Sequence, residues 1–286
     1  MEKAANVLTK LAKEALAIEI EDAKNAGALG FMARALVQAT MPHSRSEVPY
    51  FERSNGALTL TIMAPPRIGL PYGSVPRLLM AWVTTEATRT KCRELLLGSS
   101  LSAFMRELGM VPTGGKWGTI TRLRNQAHRL FASTISIEYR NVPSLAAEQG
   151  FRIADRHILW WDPKNPEQPE LLNSSVTLSE PFFREIVDRP VPIDTRVLKA
   201  LSKSPMRLDL YCWMTYRMSY LRRKTLIPWE ALQLQFGADY AVTRQFKAKF
   251  ISHLQHVLSV YPVNVESSSQ GLVLKPSATH VPLLST

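Results

Sequence analysis

One set of helix-starting and helix-stopping residues occurs twice in this chain, and it constrains the fold more than any other feature. Ser74–Val–Pro76 opens a long helix, with serine at the cap position and proline just inside the first turn. Gly109 stops the helix after it, 33 residues beyond Pro76. Ser204–Pro205 repeats the opening and Gly237 repeats the stop, 32 residues beyond Pro205. Between these marks the first helix carries the apolar stripe Leu78, Leu79, Trp82 and Val83. A short extended piece, Glu94–Leu97, leads to a second helix from Ser100 with Leu101, Phe104, Met105 and Leu108 on one face. After the turn Met110–Gly115 a third helix is expected over Trp117–Ala132, then strands at Thr134–Tyr139, Phe151–Trp161 and Val176–Leu178. The second block has a helix from Pro205 to about Leu221 and an extended piece at Thr225–Ile227. Helices at Pro228–Phe236 and Val242–Val260 follow, then strands at Pro262–Val265 and Gly271–Leu274.

Helix, short strand, helix, turn, helix and β-hairpin is the order of a winged helix-turn-helix domain. The expected fold is therefore helix-rich α+β, with two such domains in tandem after an N-terminal helical extension. Residues 2–24 have helical periodicity, Asn25–Ala–Gly27 breaks it and Leu29–Ala39 resumes it. Leu58–Met63 alternates apolar residues with threonine and reads as a strand. Pro190–Val–Pro192 marks a joint, after which Asp194 caps a helix to Leu201. The expected boundaries are 1–45 for the extension, 46–189 for the first domain and 190–286 for the second.

The charge follows the same division. The net charge is +11, yet residues 1–66 sum to zero and residues 141–199 to −2. Residues 67–140 carry eleven basic and four acidic side chains, and residues 200–260 carry nine and three. Each basic block coincides with one helix-turn-helix unit, a pattern suited to touching a polyanion at two places. An anionic membrane surface is the main rival, but it needs an amphipathic helix with an exposed aromatic face.

The third helix of each unit would enter a DNA major groove, so its face away from the core carries the test. In the first unit Ile120, Leu123, Ala127, Leu130 and Phe131 fall on one stripe at about 100° per residue. Opposite lie Gly118, Thr121, Arg122, Asn125, Gln126 and Arg129, with no acid from Lys116 to Ile137. Arginine pairs two ways with guanine, asparagine and glutamine two ways with adenine, and a threonine methyl meets a thymine methyl. A solvated face is more often filled with Glu and Lys. Arg124 falls near the core boundary and suits phosphate contact or packing of its stem. In the second unit the stripe is Val242, Phe246, Phe250, Leu254 and Val257. Opposite it lie Arg244, Gln245, Ala248, Lys249, Ser252 and Gln255, and Arg222–Arg223–Lys224 reads as a phosphate clamp or an exposed basic turn.

Other apparent chemistry fails on inspection. Gly114–Gly115–Lys116 resembles the end of a phosphate-binding loop, but Met110 stands where the first glycine belongs and Trp117 where Ser or Thr would hold magnesium. Those glycines instead expose backbone amides at a helix N-terminus, and Lys116 is a candidate phosphate contact. His253 and His256 lack a third ligand nearby. Trp160 and Trp161 put one indole on each face of a strand, which suits sheet packing. Cys92 and Cys212 are too few for a disulfide framework. No apolar run reaches the roughly 18 residues of a membrane span. No catalytic group, cofactor or metal is expected, and the chain reads as a soluble cytoplasmic protein.

Four stretches resemble the plasmid-encoded RepA replication initiators. These are Gly69-Leu-Pro-Tyr-Gly-Ser-Val-Pro-Arg-Leu-Leu79, Thr113-Gly-Gly-Lys-Trp-Gly-Thr-Ile-Thr-Arg-Leu-Arg124, Leu159-Trp-Trp-Asp-Pro163, and Pro228-Trp-Glu-Ala-Leu232 with Gln235-Phe-Gly-Ala-Asp-Tyr240. The resemblance runs from about Ala28 to Val281. It implies a bacterial initiator that binds repeated sites, or iterons, in double-stranded origin DNA and helps open an adjacent A·T-rich region. It also implies recruitment of host replication proteins, notably the replicative helicase, and a monomer in equilibrium with a dimer that represses its own promoter. The rival function is a dimeric winged-helix repressor with no part in replication, recognisable by one inverted repeat. An endonuclease or relaxase would need an acidic triad or a tyrosine beside metal-binding histidines, and the basic blocks offer neither.

Overall fold

A computed structural model describes residues 22–56, 58–142, 145–161, 164–167, 174–237 and 240–281. The helix expected over residues 2–24 lies almost wholly outside them.

The first unit opens with α2 (Ser74–Thr90), which follows β1 (Leu29–Met32), α1 (Arg34–Gln38), β2 (Tyr50–Ser54) and β3 (Leu58–Met63). It continues through β4 (Glu94–Leu96), α3 (Leu101–Glu107) and α4 (Thr119–Phe131). Ser100 caps α3 by accepting from the Ala103 amide at 3.2 Å, and Gly109 ends it at φ +71°. After α4 come β5 (Thr134–Val142), β6 (Leu145–Arg152), β7 (Ala154–Ile158), β8 (Ser175–Leu178) and α5 (Glu180–Asp188). β7 and β8 form an antiparallel hairpin that joins β4 in the order β4-β8-β7.

The second unit repeats this arrangement. β9 (Val191–Asp194) and α6 (Thr195–Leu201) lead to α7 (Pro205–Tyr220), β10 (Thr225–Pro228), α8 (Trp229–Phe236) and α9 (Thr243–Leu258). β11 (Val265–Ser267) and β12 (Gly271–Leu274) close it, in the order β10-β12-β11. In both units the last strand in sequence therefore lies between the other two.

Four expectations need correction. Ser74 does not cap α2: it is the first helical residue, and Gly73 holds the cap position at φ +80°. Thr134–Tyr139 does form a strand, but it joins the four-stranded sheet β2-β3-β5-β6 rather than the hairpin of its unit. The single strand expected over Phe151–Trp161 is divided between β6 and β7, which belong to different sheets. The chain changes partners at Ile153, whose amide donates to Ser133 and whose carbonyl accepts from Ser179. Leu29–Ala39 is not one helix: Leu29–Met32 pairs antiparallel with Val191–Asp194 across the expected joint. Gly30 permits that approach, since a Cβ there would stand 2.5 Å from Thr195 Cγ2. One helix, α5, was not anticipated, although Ser179–Glu–Pro181 has the same Ser/Pro opening as the other two, and Ser179 caps it.

The buried apolar residues form one continuous cluster from Met32 to Leu274, so the units share a core. Polar links reinforce the join: the Gln235 side chain donates to Gln38 O at 2.9 Å, and Gln38 Nε2 donates to Tyr216 Oη of α7 at 2.8 Å.

Candidate nucleic-acid interface

The turn before α4 is fixed by two threonines. The Thr119 amide donates to Thr113 Oγ1 and the Thr113 amide to Thr119 Oγ1, both at 2.9 Å. The Thr119 hydroxyl donates to Val111 O at 2.6 Å, and Thr121 Oγ1 donates to Gly115 O at 2.9 Å. Gly118 must lack a Cβ, which would lie 2.2 Å from Thr113 O. Nothing lies within 4 Å of the Cβ positions of Gly114 and Gly115, so this stretch of backbone faces open space. Lys116 is exposed there, its ammonium 5.3 Å from the Trp117 ring.

Along α4 the stripe Ile120, Leu123, Ala127, Leu130 and Phe131 is buried as expected. Arg122, Arg124 and Asn125 are exposed and Thr121 is half-buried. Arg124, read from the sequence as lying near the core boundary, is exposed.

Gln126 and Arg129 do not belong to the open face. Gln126 is 4% exposed, and its Oε1 accepts from the Tyr72 amide at 2.8 Å. Arg129 donates to Leu70 O at 3.1 Å and lies 5.6 Å from the Tyr72 ring. A Cβ on Gly69 would meet Arg129 Nη1 at 2.5 Å, so that glycine makes room for the guanidinium. The segment 69–72 covers this flank of α4, which an isolated helical wheel cannot register. The open face is thus the N-terminal part of the helix with the turn before it.

In the second unit α9 buries Phe246, Phe250, Leu254 and Val257. Phe250 meets Trp229, Phe236 and Phe246 at ring separations of 5.8, 5.7 and 5.4 Å. Arg244, Gln245, Ala248, Lys249, Ser252 and Gln255 are exposed, as are Arg222, Arg223 and Lys224. Val242 is not a core residue: it is the N-cap of α9 and is 49% exposed. His253 is half-buried, and burial, reinforced by the Arg207 charge, lowers its pKa to about 4.

Helical-face reasoning missed Trp117, whose 82% exposure is exceptional for an indole. An aromatic residue in a Gly/Lys turn was the available signal. It also missed the contact between α4 and the hairpin, where His128 Nδ1 and His157 Nε2 are 3.1 Å apart. Trp160 is exposed and Trp161 is buried, stacked on Phe104 at 5.7 Å.

Among the described residues no group of three or more His, Cys, Asp or Glu is placed to hold a metal ion. Both cysteines are free, Cys92 exposed and Cys212 buried. No described helix is long and apolar enough to cross a membrane.

Comparison with solved structures shows a shared fold. A crystal structure of selenomethionine derivatives of domains 2 and 3 of RctB is similar at a TM-score of 0.54 and 14% identity, covering 85% of this chain and 99% of that one. Another crystal structure of RctB domains 2–3 gives 0.50 at 13% identity, over 84% and 94% of the two chains. No curated protein sequence matches the chain. The family described as plasmid encoded RepA protein matches residues 70–231, which is more than half of the 286 residues. That stretch runs from the segment packed on Gln126 and Arg129 into α8, and with it the chain belongs to the plasmid-encoded RepA family of replication initiators.

Proposed function

We propose that the chain initiates plasmid replication by binding iteron repeats in double-stranded origin DNA through two tandem winged helices. Family membership makes origin DNA the general partner. The strand orders β4-β8-β7 and β10-β12-β11, each after a helix-strand-helix-helix run, support winged helices on both sides of the joint. The observation that carries the reading is that α4 and α9 each bury one apolar stripe and expose a face without a single acidic residue. Arg122 and Asn125 on α4, and Arg244 and Gln245 on α9, offer the forked donors and amides that read base edges. Lys116, Arg124, Arg222, Arg223, Lys224 and Lys249 serve the phosphates, and Ser252 lets the α9 backbone approach closely.

In this reading the protein has no catalytic site and works in the bacterial cytoplasm. It holds the origin while an adjacent A·T-rich segment opens and the host helicase is recruited. Its monomer is the form that acts at the origin, and its dimer represses its own promoter. Titration of DNA flanking the gene across a salt series tests the DNA-binding core of this proposal. With about six to ten phosphates engaged, log affinity should fall against log salt with a slope of about −0.9 per phosphate. A salt-independent affinity, or equal affinity for random DNA, contradicts it.

A further inference from the structure

A cleft of about 660 Å³ lies between the two units, and its cations come from three separate parts of the chain. Arg122 of α4 lines it from the first unit, with Tyr72 and Thr119. Lys203, in the turn between α6 and α7, lines it from the second, and Arg45 comes from the segment after α1. No acidic side chain lines it. Among the described residues neither Arg122 nor Lys203 has an ion-pair partner, and both are exposed. Arg45 lies 3.1 Å from Glu47, but both side chains are exposed, at 61% and 83%, and such a pair is worth little.

The walls are held in fixed relation. Gly109, in the left-handed conformation, has Lys199 Cγ 2.5 Å from where a Cβ would stand. Helix α6 therefore seats directly on the turn that ends α3, and this brings Lys203 beside the open face of α4. Beneath the cleft, Arg77 of α2 donates to Asp209 of α7 and to the carbonyls of Met41, Pro42 and Gly73. One buried guanidinium thus ties all three walls together.

We infer that this cleft is a track for the DNA sugar–phosphate backbone, in which Arg45 and Lys203 contact phosphates beside Arg122. The inference rests on the DNA-binding reading above and extends it: the strand leaving the first reading helix crosses to the second unit along the cleft. The cations stand at the exposed rim, where a passing polyanion meets them without burying them. An enclosed small anion would instead call for buried donors converging on one point. Phosphate contacts of this kind set position and affinity without reading sequence.

The test is the salt dependence of binding by the full chain, measured for wild type, Arg45→Ala with Lys203→Ala, and Arg122→Ala. The probes are the DNA flanking the gene and a random-sequence duplex. Losing two phosphate contacts should make the log–log slope shallower by about 1.8, on both probes, at unchanged thermal stability and unchanged discrimination. If the double variant keeps the wild-type slope while Arg122→Ala still loses discrimination, the track is wrong and the DNA-binding reading stands. If neither variant changes binding to either duplex, both fail. Calorimetry with free ATP and inorganic phosphate covers the remaining source of negative charge. Tight binding of either, abolished by Lys203→Ala with the duplex slope unchanged, makes the cleft a small-anion pocket and overturns the inference.

Discussion

Arg77 and Asp209 form a bidentate ion pair between the long helices of the two units, Nε to Oδ1 at 2.7 Å and Nη2 to Oδ2 at 2.8 Å. Arg77 is 2% exposed and Asp209 8%. Burial pushes the Asp209 carboxyl upward, but the Arg77 charge and the His43 hydrogen bond outweigh it and hold its pKa below the ordinary carboxylate value. Asp209→Ala should cost about 3–5 kcal/mol, because it leaves a buried guanidinium uncompensated. Arg77→Lys should also destabilise, although it keeps the charge, since an ammonium cannot supply the same fork. Denaturant unfolding checks both, and a loss under about 1 kcal/mol for Asp209→Ala contradicts the assignment.

His253 gives the stability a pH dependence. Its folded pKa is about 4, chiefly through burial, against an ordinary value of 6.5. Between those values the unfolded chain binds the proton and the folded chain does not. Its contribution is therefore complete above pH 6.5 and is lost as the pH falls toward 4. His43 adds to the loss in the same direction, its pKa lowered by burial against the opposing hydrogen bond to Asp209. The melting temperature should drop from neutral to mildly acid solution, and His253→Asn should flatten that drop. An equally steep profile in the variant would remove His253 from the explanation.

The two groups of residues on α4 should separate by readout. Arg122→Ala and Asn125→Ala should each cost about 1–3 kcal/mol of specific binding and relax preference at one base pair. Lys116→Ala should weaken specific and random duplexes alike. Competition binding with single-base variants of the protected site distinguishes the patterns. Equal losses on all sequences for Arg122→Ala would mean that α4 lies in the groove by another face.

Gln126→Ala tests the revised boundary of that face. It leaves the Tyr72 amide without its 2.8 Å partner, at a cost to folding of about 1–3 kcal/mol. Base preference should be untouched. Altered preference at normal stability would return Gln126 to the reading surface.

What was legible in the sequence was local. Ser100 and Asp194 cap their helices with their own side chains, and Gly109 takes a positive φ, so each boundary is chemistry within a few residues. The stripe Phe246, Phe250 and Leu254 likewise needs only one helix to be seen. What escaped depends on partners far along the chain. Leu29–Met32 is a strand because Val191–Asp194 lies beside it. Thr134 onward leaves its unit's hairpin because β3 is available to pair with it. Gln126 is buried because residues 69–72 fold over α4, and no helical period records that. The placement of Lys203 beside the open face of α4 has the same origin, since it follows from the seating of α6 on Gly109.

Hydroxyl-radical footprinting of the purified full chain on the DNA flanking its own gene, repeated at several salt concentrations, tests the central claim most directly. The account predicts protection at several evenly spaced direct repeats, fading as salt rises, with reactive unpaired bases in an adjacent A·T-rich stretch. A single inverted repeat over the promoter with no opened duplex would leave DNA binding standing and contradict initiation. Uniform coverage without a footprint would contradict sequence-specific binding altogether.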